Sequence, residues 1–111
     1  MAIEWNDFEK IDMHAGKIME AIYADGAMKP AFRLRIDFGP MIGIKKSSAQ
    51  LTGLYTPEAL IGKTIIAVTN LPPKQIGSYM SEVLVLGISD DLGNIVLLTT
   101  DQIVALGQKI F

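Results

Sequence analysis

Residues 32–38 alternate with period two: Phe32, Leu34, Ile36 and Phe38 on one side, Arg33, Arg35 and Asp37 on the other. Successive side chains of an extended strand point to opposite faces, so this run predicts a strand with one buried and one charged face. Gly39-Pro40 ends it as a turn, because proline brings no N–H to a ladder and glycine accepts the reversal. Met41 to Ser47 is expected to return as the paired strand. The product is a hairpin whose outer face carries the arginines. Any fold of this chain must therefore cover one face of a sheet.

The remaining segments point the same way. Lys17 to Ala24 and the β-branched run Thr64 to Thr69 predict strands. Val83 to Ile88 is apolar on both faces and predicts a central strand, followed by a loop at Asp90–Asn94 and a strand at Ile95–Leu98. Asn6, with Glu9 three residues on, reads as the cap of a short helix. Thr56-Pro57-Glu58 reads as the start of another, closed by Gly62. Asn70-Leu71-Pro72-Pro73 cannot continue a strand. Through Gln75 and the Ser78-Tyr79-Met80-Ser81 stretch it predicts a long loop stiffened by proline. Short strands, short helices and many turns favour a small closed all-β barrel. With 111 residues and no internal repeat, a single domain over 1–111 is expected.

Half of the residues are hydrophobic, enough for a packed core. The absence of cysteine excludes disulfides, zinc ribbons, iron–sulfur clusters and thiol catalysis. His14 is the single histidine, so a zinc site would rest on carboxylates alone; neither a metal nor a cofactor is expected. No serine sits in a nucleophile elbow or a Ser-x-x-Lys pattern, and Gly39, Gly43 and Gly53 make no phosphate fingerprint. The chain reads as a non-enzyme with no catalytic residue. No apolar run approaches the ~18–20 residues of a membrane helix, so membrane insertion is not expected. The acidic start (Glu4, Asp7, Glu9, Asp12) is unlike a secretory signal, which predicts a cytoplasmic protein.

Charge is uneven. The formal net charge is −2, yet Lys29, Arg33, Arg35, Lys45, Lys46, Lys63 and Lys74 face only Asp37 and Glu58 in the middle of the chain. Lys45-Lys46-Ser47-Ser48-Ala49-Gln50 sets two cations, two hydroxyls and an amide at a strand end. Lysines attract phosphate, hydroxyls and amides read sugar and base edges, and Tyr79 offers a stacking face.

These residues resemble a known family. Ile36-Asp37-Phe38-Gly39, Ile42 to Gln50, Tyr55-Thr56-Pro57-Glu58, Asn70-Leu71-Pro72-Pro73-Lys74-Gln75-Ile76 and Ser81-Glu82-Val83-Leu84-Val85-Leu86-Gly87 look like the tRNA-binding domain family. More narrowly they are similar to its stand-alone protein-export chaperone branch, CsaA. The resemblance implies an OB-fold, a five-stranded Greek-key barrel with N- and C-terminal extensions, and a homodimer. It implies tRNA, unfolded export precursors and the export machinery as partners, rather than DNA. Carried over by position, the ligand face falls on Lys45, Lys46, Ser47, Ser48 and Gln50, and continues on Asn70, Lys74, Gln75, Ser81 and Glu82. Two departures stand out. His14 occupies the place of the family's arginine in Asp12-Met13-His14-Ala15-Gly16, and Leu71 replaces the branch's aromatic after Asn70.

An RNA role draws on the basic surface that includes Arg33 and Arg35. A precursor-binding role needs an exposed apolar groove, for which Phe32, Tyr79 and Met80 are the candidates. A dimerisation or scaffold module without its own ligand is the third reading. Large apolar residues at both ends (Ile3, Trp5 and Phe8; Val104, Leu106, Ile110 and Phe111) are expected to form the dimer interface.

Overall fold

The structure, a computed structural model, describes residues 1–24 and 30–111; Lys29 of the basic middle lies outside them. Two short helices, α1 (Trp5–Glu9) and α2 (Pro57–Leu60), accompany nine strands among these residues. The strands are β1 (Met13–Tyr23), β2 (Phe32–Asp37), β3 (Ile44–Ala49), β4 (Thr64–Val68), β5 (Lys74–Ile76), β6 (Tyr79–Ser81), β7 (Leu84–Val85), β8 (Gly87–Ser89) and β9 (Ile95–Leu97). Five form one antiparallel sheet in the order β3-β2-β1-β4-β7, while β5-β6 and β8-β9 are two-stranded ribbons. Residues 81 and 82 run along the outer edge of β3. Lys46 N–H donates to Glu82 Oε1 at 2.9 Å, Glu82 N–H donates to Lys46 O at 2.8 Å, and Ser48 N–H donates to Ser81 Oγ at 3.1 Å. These bonds bring the sheet's two ends almost together. The result is a nearly closed OB-type barrel, as the resemblance implied.

Period-two patterning decides the core. Phe32, Leu34, Ile36 and Phe38 are all fully buried and pack with Ile18, Leu60 and Ile65. In antiparallel pairs, directly opposed residues share a face. The pairs Arg33↔Ser48 and Arg35↔Lys46 therefore face outward, and Leu34↔Ser47 and Ile36↔Lys45 lie on the core side. β1 is continuous because its two halves have different partners, β4 at residues 13–17 and β2 at 17–23, with a register shift between Ile18 and Glu20. α2 starts as expected, with Thr56 Oγ1 accepting from Ala59 N–H at 3.2 Å.

Four expectations need correction. The cap of α1 is Glu4 rather than Asn6, and the Asp7 carboxylate accepts from Glu4 N–H at 3.0 Å. The return strand of the first hairpin is shifted, with Met41 and Ile42 inside the turn and β3 beginning at Ile44. Val83 to Ile88 is not a central strand. It leaves β4 after Val85 and joins β9 from Gly87, so its apolar residues serve different surfaces: Val83 is buried, while Leu84 and Ile88 are exposed. The proline-rich loop, finally, contains the β5-β6 hairpin, in which Lys74 pairs with Ser81 and Gln75 with Met80.

The C-terminal segment docks beside the start of β1. Ala15 N–H donates to Gln108 O at 3.0 Å, Gly107 N–H to Ala15 O at 2.8 Å, and Ile110 N–H to Met13 O at 2.8 Å. Two glycines permit this approach. Gly39 and Gly107 have φ of +84° and +88°, and a Cβ on either would strike the backbone of the other segment, at Leu106 O and Phe38 O respectively.

Candidate nucleic-acid interface

The outer face of β1-β2-β3 and the β5-β6 hairpin meet at Tyr79. Its hydroxyl donates to Leu34 O at 3.2 Å, which pins the ring to the barrel. The Arg33 guanidinium carbon lies 4.9 Å from the ring centroid and Lys46 Nζ 5.2 Å from it. Both distances are within cation–π range. Arg33 also donates to Ser78 Oγ at 3.3 Å, and Arg35 pairs with Glu20 at 3.7 Å on an exposed part of the sheet. Burial raises the Tyr79 phenol above its ordinary value, against the lowering pull of Arg33 and Arg35. The phenol therefore stays neutral and keeps its hydrogen bond. Arg33, Arg35 and Lys46 thus gather three cations around an aromatic ring, with the Glu20 and Glu82 carboxylates close enough to act on the same phenol.

Beside that patch lies a cleft of about 520 Å³, bounded by Ser48, Gln50, Lys74, Ser81 and Glu82 and by the apolar Leu71, Pro72, Ile76, Val83 and Leu84. Five residues that are far apart in the chain but were expected on the ligand face meet here. Neither sequence spacing nor periodicity could show it, because the cleft exists only once residues 81 and 82 lie along β3. Leu71, at the aromatic's place, is half exposed on its wall. The apolar wall residues Pro72, Ile76 and Leu84 were not among the sequence candidates, whose apolar members were Phe32, Tyr79 and Met80.

Several expected ligand residues are committed elsewhere. Ser47 is fully buried, and its hydroxyl donates to Val83 O at 3.2 Å. Strand alternation turns Lys45 to the side of Ile36, away from Lys46, so the two cations do not act as a pair. Asn70 clamps the N-terminal segment, accepting from Asp12 N–H at 2.9 Å and donating to Lys10 O at 2.7 Å. Gln75 is exposed and donates to Gly77 O at 3.1 Å. Phe32 is enclosed in the core against Tyr23, with ring centroids 4.9 Å apart, and cannot line an exposed groove. Met80 is exposed on the hairpin and Tyr79 half-buried. His14 Nδ1 lies 2.9 Å from Gly107 O, so the ring that replaces the family's arginine helps hold the C-terminal segment.

A second cleft, of about 560 Å³, is bounded mainly by Val104, Ala105, Ile110, Phe111 and Ala15. Phe111, Ile3 and Trp5 are exposed, and Phe8, Leu106 and Ile110 are half-buried. No group of three or more metal-ligating side chains occurs among the described residues.

With this geometry in hand, comparison with known proteins is decisive. The family model tRNA_bind, "Putative tRNA binding domain", matches residues 13–109. The chain belongs to the tRNA-binding domain family. Within the family it is similar over its length to solved CsaA structures. Chaperone CsaA from Bacillus anthracis superposes with a TM-score of 0.94 at 43% identity, covering all of both chains. The CsaA chaperone protein from Picrophilus torridus does so at 0.93 and 49%, covering 99% of this chain and 100% of that one. Among curated relatives, methionine–tRNA ligase from Methanocaldococcus jannaschii is 33% identical over 108 residues. That match takes in 97% of this chain and 16% of the ligase. Among the described residues, no helix is long and apolar enough to cross a membrane.

Proposed function

We propose that this protein is a non-enzymatic tRNA-binding homodimer of the cytoplasm. The observation that carries the reading is the adjacency of the Arg33–Arg35–Lys46 patch to the cleft holding Ser48, Gln50, Lys74 and Glu82. Phosphate contacts supply affinity without sequence information, and neighbouring hydroxyl, amide and carboxylate groups can read a base or a sugar. Family membership supports the same ligand. Each phosphate contact releases counterions, so log affinity should fall with log salt by about 0.7–0.9 per contact. Titrating purified tRNA at several salt concentrations tests this, and a salt-independent affinity would sink it.

Dimerisation through the ends is supported by the apolar cleft at Val104, Ala105, Ile110 and Phe111 and by exposed Ile3 and Trp5 at the other end of the chain. Burying a large apolar side chain contributes ~1.5–3 kcal/mol, so a handful can offset the cost of association. Sedimentation equilibrium at low micromolar protein decides the oligomeric state.

A second reading, binding of unfolded export precursors, is favoured by the apolar wall of the same cleft and the exposed Met80 on its hairpin. Methionine is flexible and polarisable, which suits varied peptide side chains. The similarity to CsaA chaperones points the same way. An unfolded precursor that competes with tRNA for the cleft would support it; independent, additive binding would place it elsewhere.

A further inference from the structure

The polar groups of the cleft divide into those used by the fold and those left for a ligand. Ser81 Oγ is spent on both sides, accepting from Ser48 N–H at 3.1 Å and donating to Val83 O at 3.3 Å. Glu82 is fixed by one oxygen only: Oε1 accepts from Lys46 N–H at 2.9 Å. Among the described residues no hydrogen bond or ion pair occupies Glu82 Oε2, the Lys74 ammonium, the Ser48 hydroxyl or the Gln50 amide. All four residues line the cleft between apolar walls.

A carboxylate placed here is an odd choice for holding phosphate. Its charge repels the phosphodiester and cancels that of Lys74, and the cationic patch for phosphate lies on the adjacent face around Tyr79. Its chemistry fits a different partner. An ionised carboxylate only accepts hydrogen bonds, and an ammonium only donates them. Oε1 keeps a lone pair beside its bond to Lys46 N–H, so both carboxylate oxygens can accept, and an edge that uses both of them together with the ammonium offers two adjacent N–H donors followed by an acceptor. Of the four RNA bases, guanine has that edge: the ring N–H and the exocyclic amine side by side, then the carbonyl O6. Adenine and cytosine each offer one amino group beside an acceptor nitrogen, and uracil one N–H between two carbonyls. Apolar walls suit the faces of an unstacked base, the usual mode of sequence-specific RNA recognition.

We infer that this cleft selects an unpaired guanine, with Glu82 accepting from its donor edge and Lys74 donating to its carbonyl. The inference rests on the tRNA-binding reading and deepens it, dividing the interface into a phosphate face at Arg33, Arg35 and Lys46 and a base pocket at Glu82 and Lys74. The tie from Lys46 N–H holds the Glu82 carboxylate before any ligand arrives, which lowers the ordering cost of binding.

The test uses the full chain and seven-nucleotide oligouridylates carrying one central guanosine, inosine, adenosine or cytidine, titrated by fluorescence anisotropy, with purified tRNA beside them. Guanosine should bind about tenfold more tightly than adenosine or cytidine, within the range of a good bidentate pair. Inosine, lacking the exocyclic amine, should fall between them. Glu82→Gln keeps an oxygen for Lys46 N–H but puts an N–H₂ where the second acceptor was. It should bring the guanosine preference to within about twofold. Lys74→Met should weaken guanosine and leave adenosine nearly unaffected. Equal affinity for all four oligomers, or a preference that survives Glu82→Gln, overturns the inference. If tRNA still binds with a salt slope in that case, the base pocket fails and the tRNA reading stands. If neither tRNA nor any oligomer binds, both fail. An unfolded precursor whose binding is lost in Glu82→Gln, with no guanosine preference, would assign the cleft to polypeptide and also overturn it.

Discussion

Two clefts of nearly equal size, about 560 and 520 Å³, mark this small barrel, and they are lined quite differently. The one at the C-terminal segment is walled mainly by Val104, Ala105, Ile110 and Phe111, with Thr100, Gln108 and the Asp12-paired Lys109 beside them, and its backbone is tied to β1 at Ala15 and Met13. The one beside β3 mixes apolar walls with an ammonium, a carboxylate, a hydroxyl and an amide. Volume alone says nothing about use. An apolar recess among exposed apolar side chains gains most from excluding water against a like surface. A recess with oriented donors and acceptors discriminates between ligands, because a mismatched partner leaves buried polar groups unpaired. Under the proposed reading the first serves self-association and the second recognition.

That contrast breaks most readily at the apolar cleft. Replacing Val104 and Phe111 together by alanine should weaken self-association by about 3–6 kcal/mol, at least about 100-fold in the dimer dissociation constant. Sedimentation equilibrium reads this directly, and an unchanged dimer would remove the C-terminal cleft from the interface. The same double variant should leave the salt dependence of tRNA binding as it was.

A smaller effect is expected at Asn70, which lines neither cleft. Alanine there removes the bonds to Asp12 N–H and Lys10 O, both reachable by water, so the cost should be about 1–2 kcal/mol of unfolding free energy. Denaturant titration measures it. tRNA affinity should stay within twofold; a large loss of binding with unchanged stability would return Asn70 to the ligand face.

At the recognition cleft's cationic border, Lys46→Ala should flatten the salt slope by about 0.7–0.9 and lower affinity by about 1 kcal/mol near 0.1 M salt. Lys45→Ala should do less, because alternation places it on the core side of β3. Equal effects from both would show that facing does not matter. The smallest effect concerns pH. Burial raises the Tyr79 phenol above its ordinary value of 10.0, so the folded state holds that proton more firmly than the unfolded one. Its stabilisation is complete below pH 10 and is lost as pH climbs through the raised value. Unfolding midpoints of wild type and Tyr79→Phe should therefore converge above about pH 10; a gap that widens there would reverse the sign.

Much of the barrel was legible in advance, for a plain reason. Alternation over Phe32–Phe38 is local information, and it correctly divided Phe32, Leu34 and Ile36 from Arg33 and Arg35. The threonine cap of α2 is equally local. The failures are non-local. Val83–Ile88 looks like one buried strand because its residues are apolar, yet it exchanges β4 for β9 midway, and no window of sequence records a change of partner. Ser47 and Asn70 look like ligand groups because serine and asparagine are polar. Whether a polar side chain is free depends on whether a distant backbone has already claimed it.

The sequence by itself determined the barrel, the charged outer face and the set of residues from which an interface could be drawn. Period-two hydrophobicity, turn chemistry and residue type act over a few positions and survive without tertiary context. Only the tertiary structure decided which members of that set stand together. The bonds from residues 81 and 82 to β3 bring Ser48, Gln50, Lys74 and Glu82 into one cleft, and strand facing separates Lys45 from Lys46. Those choices rest on hydrogen bonds between segments more than thirty positions apart, as in the Lys46–Glu82 pair, and such bonds form only when the whole sheet curls.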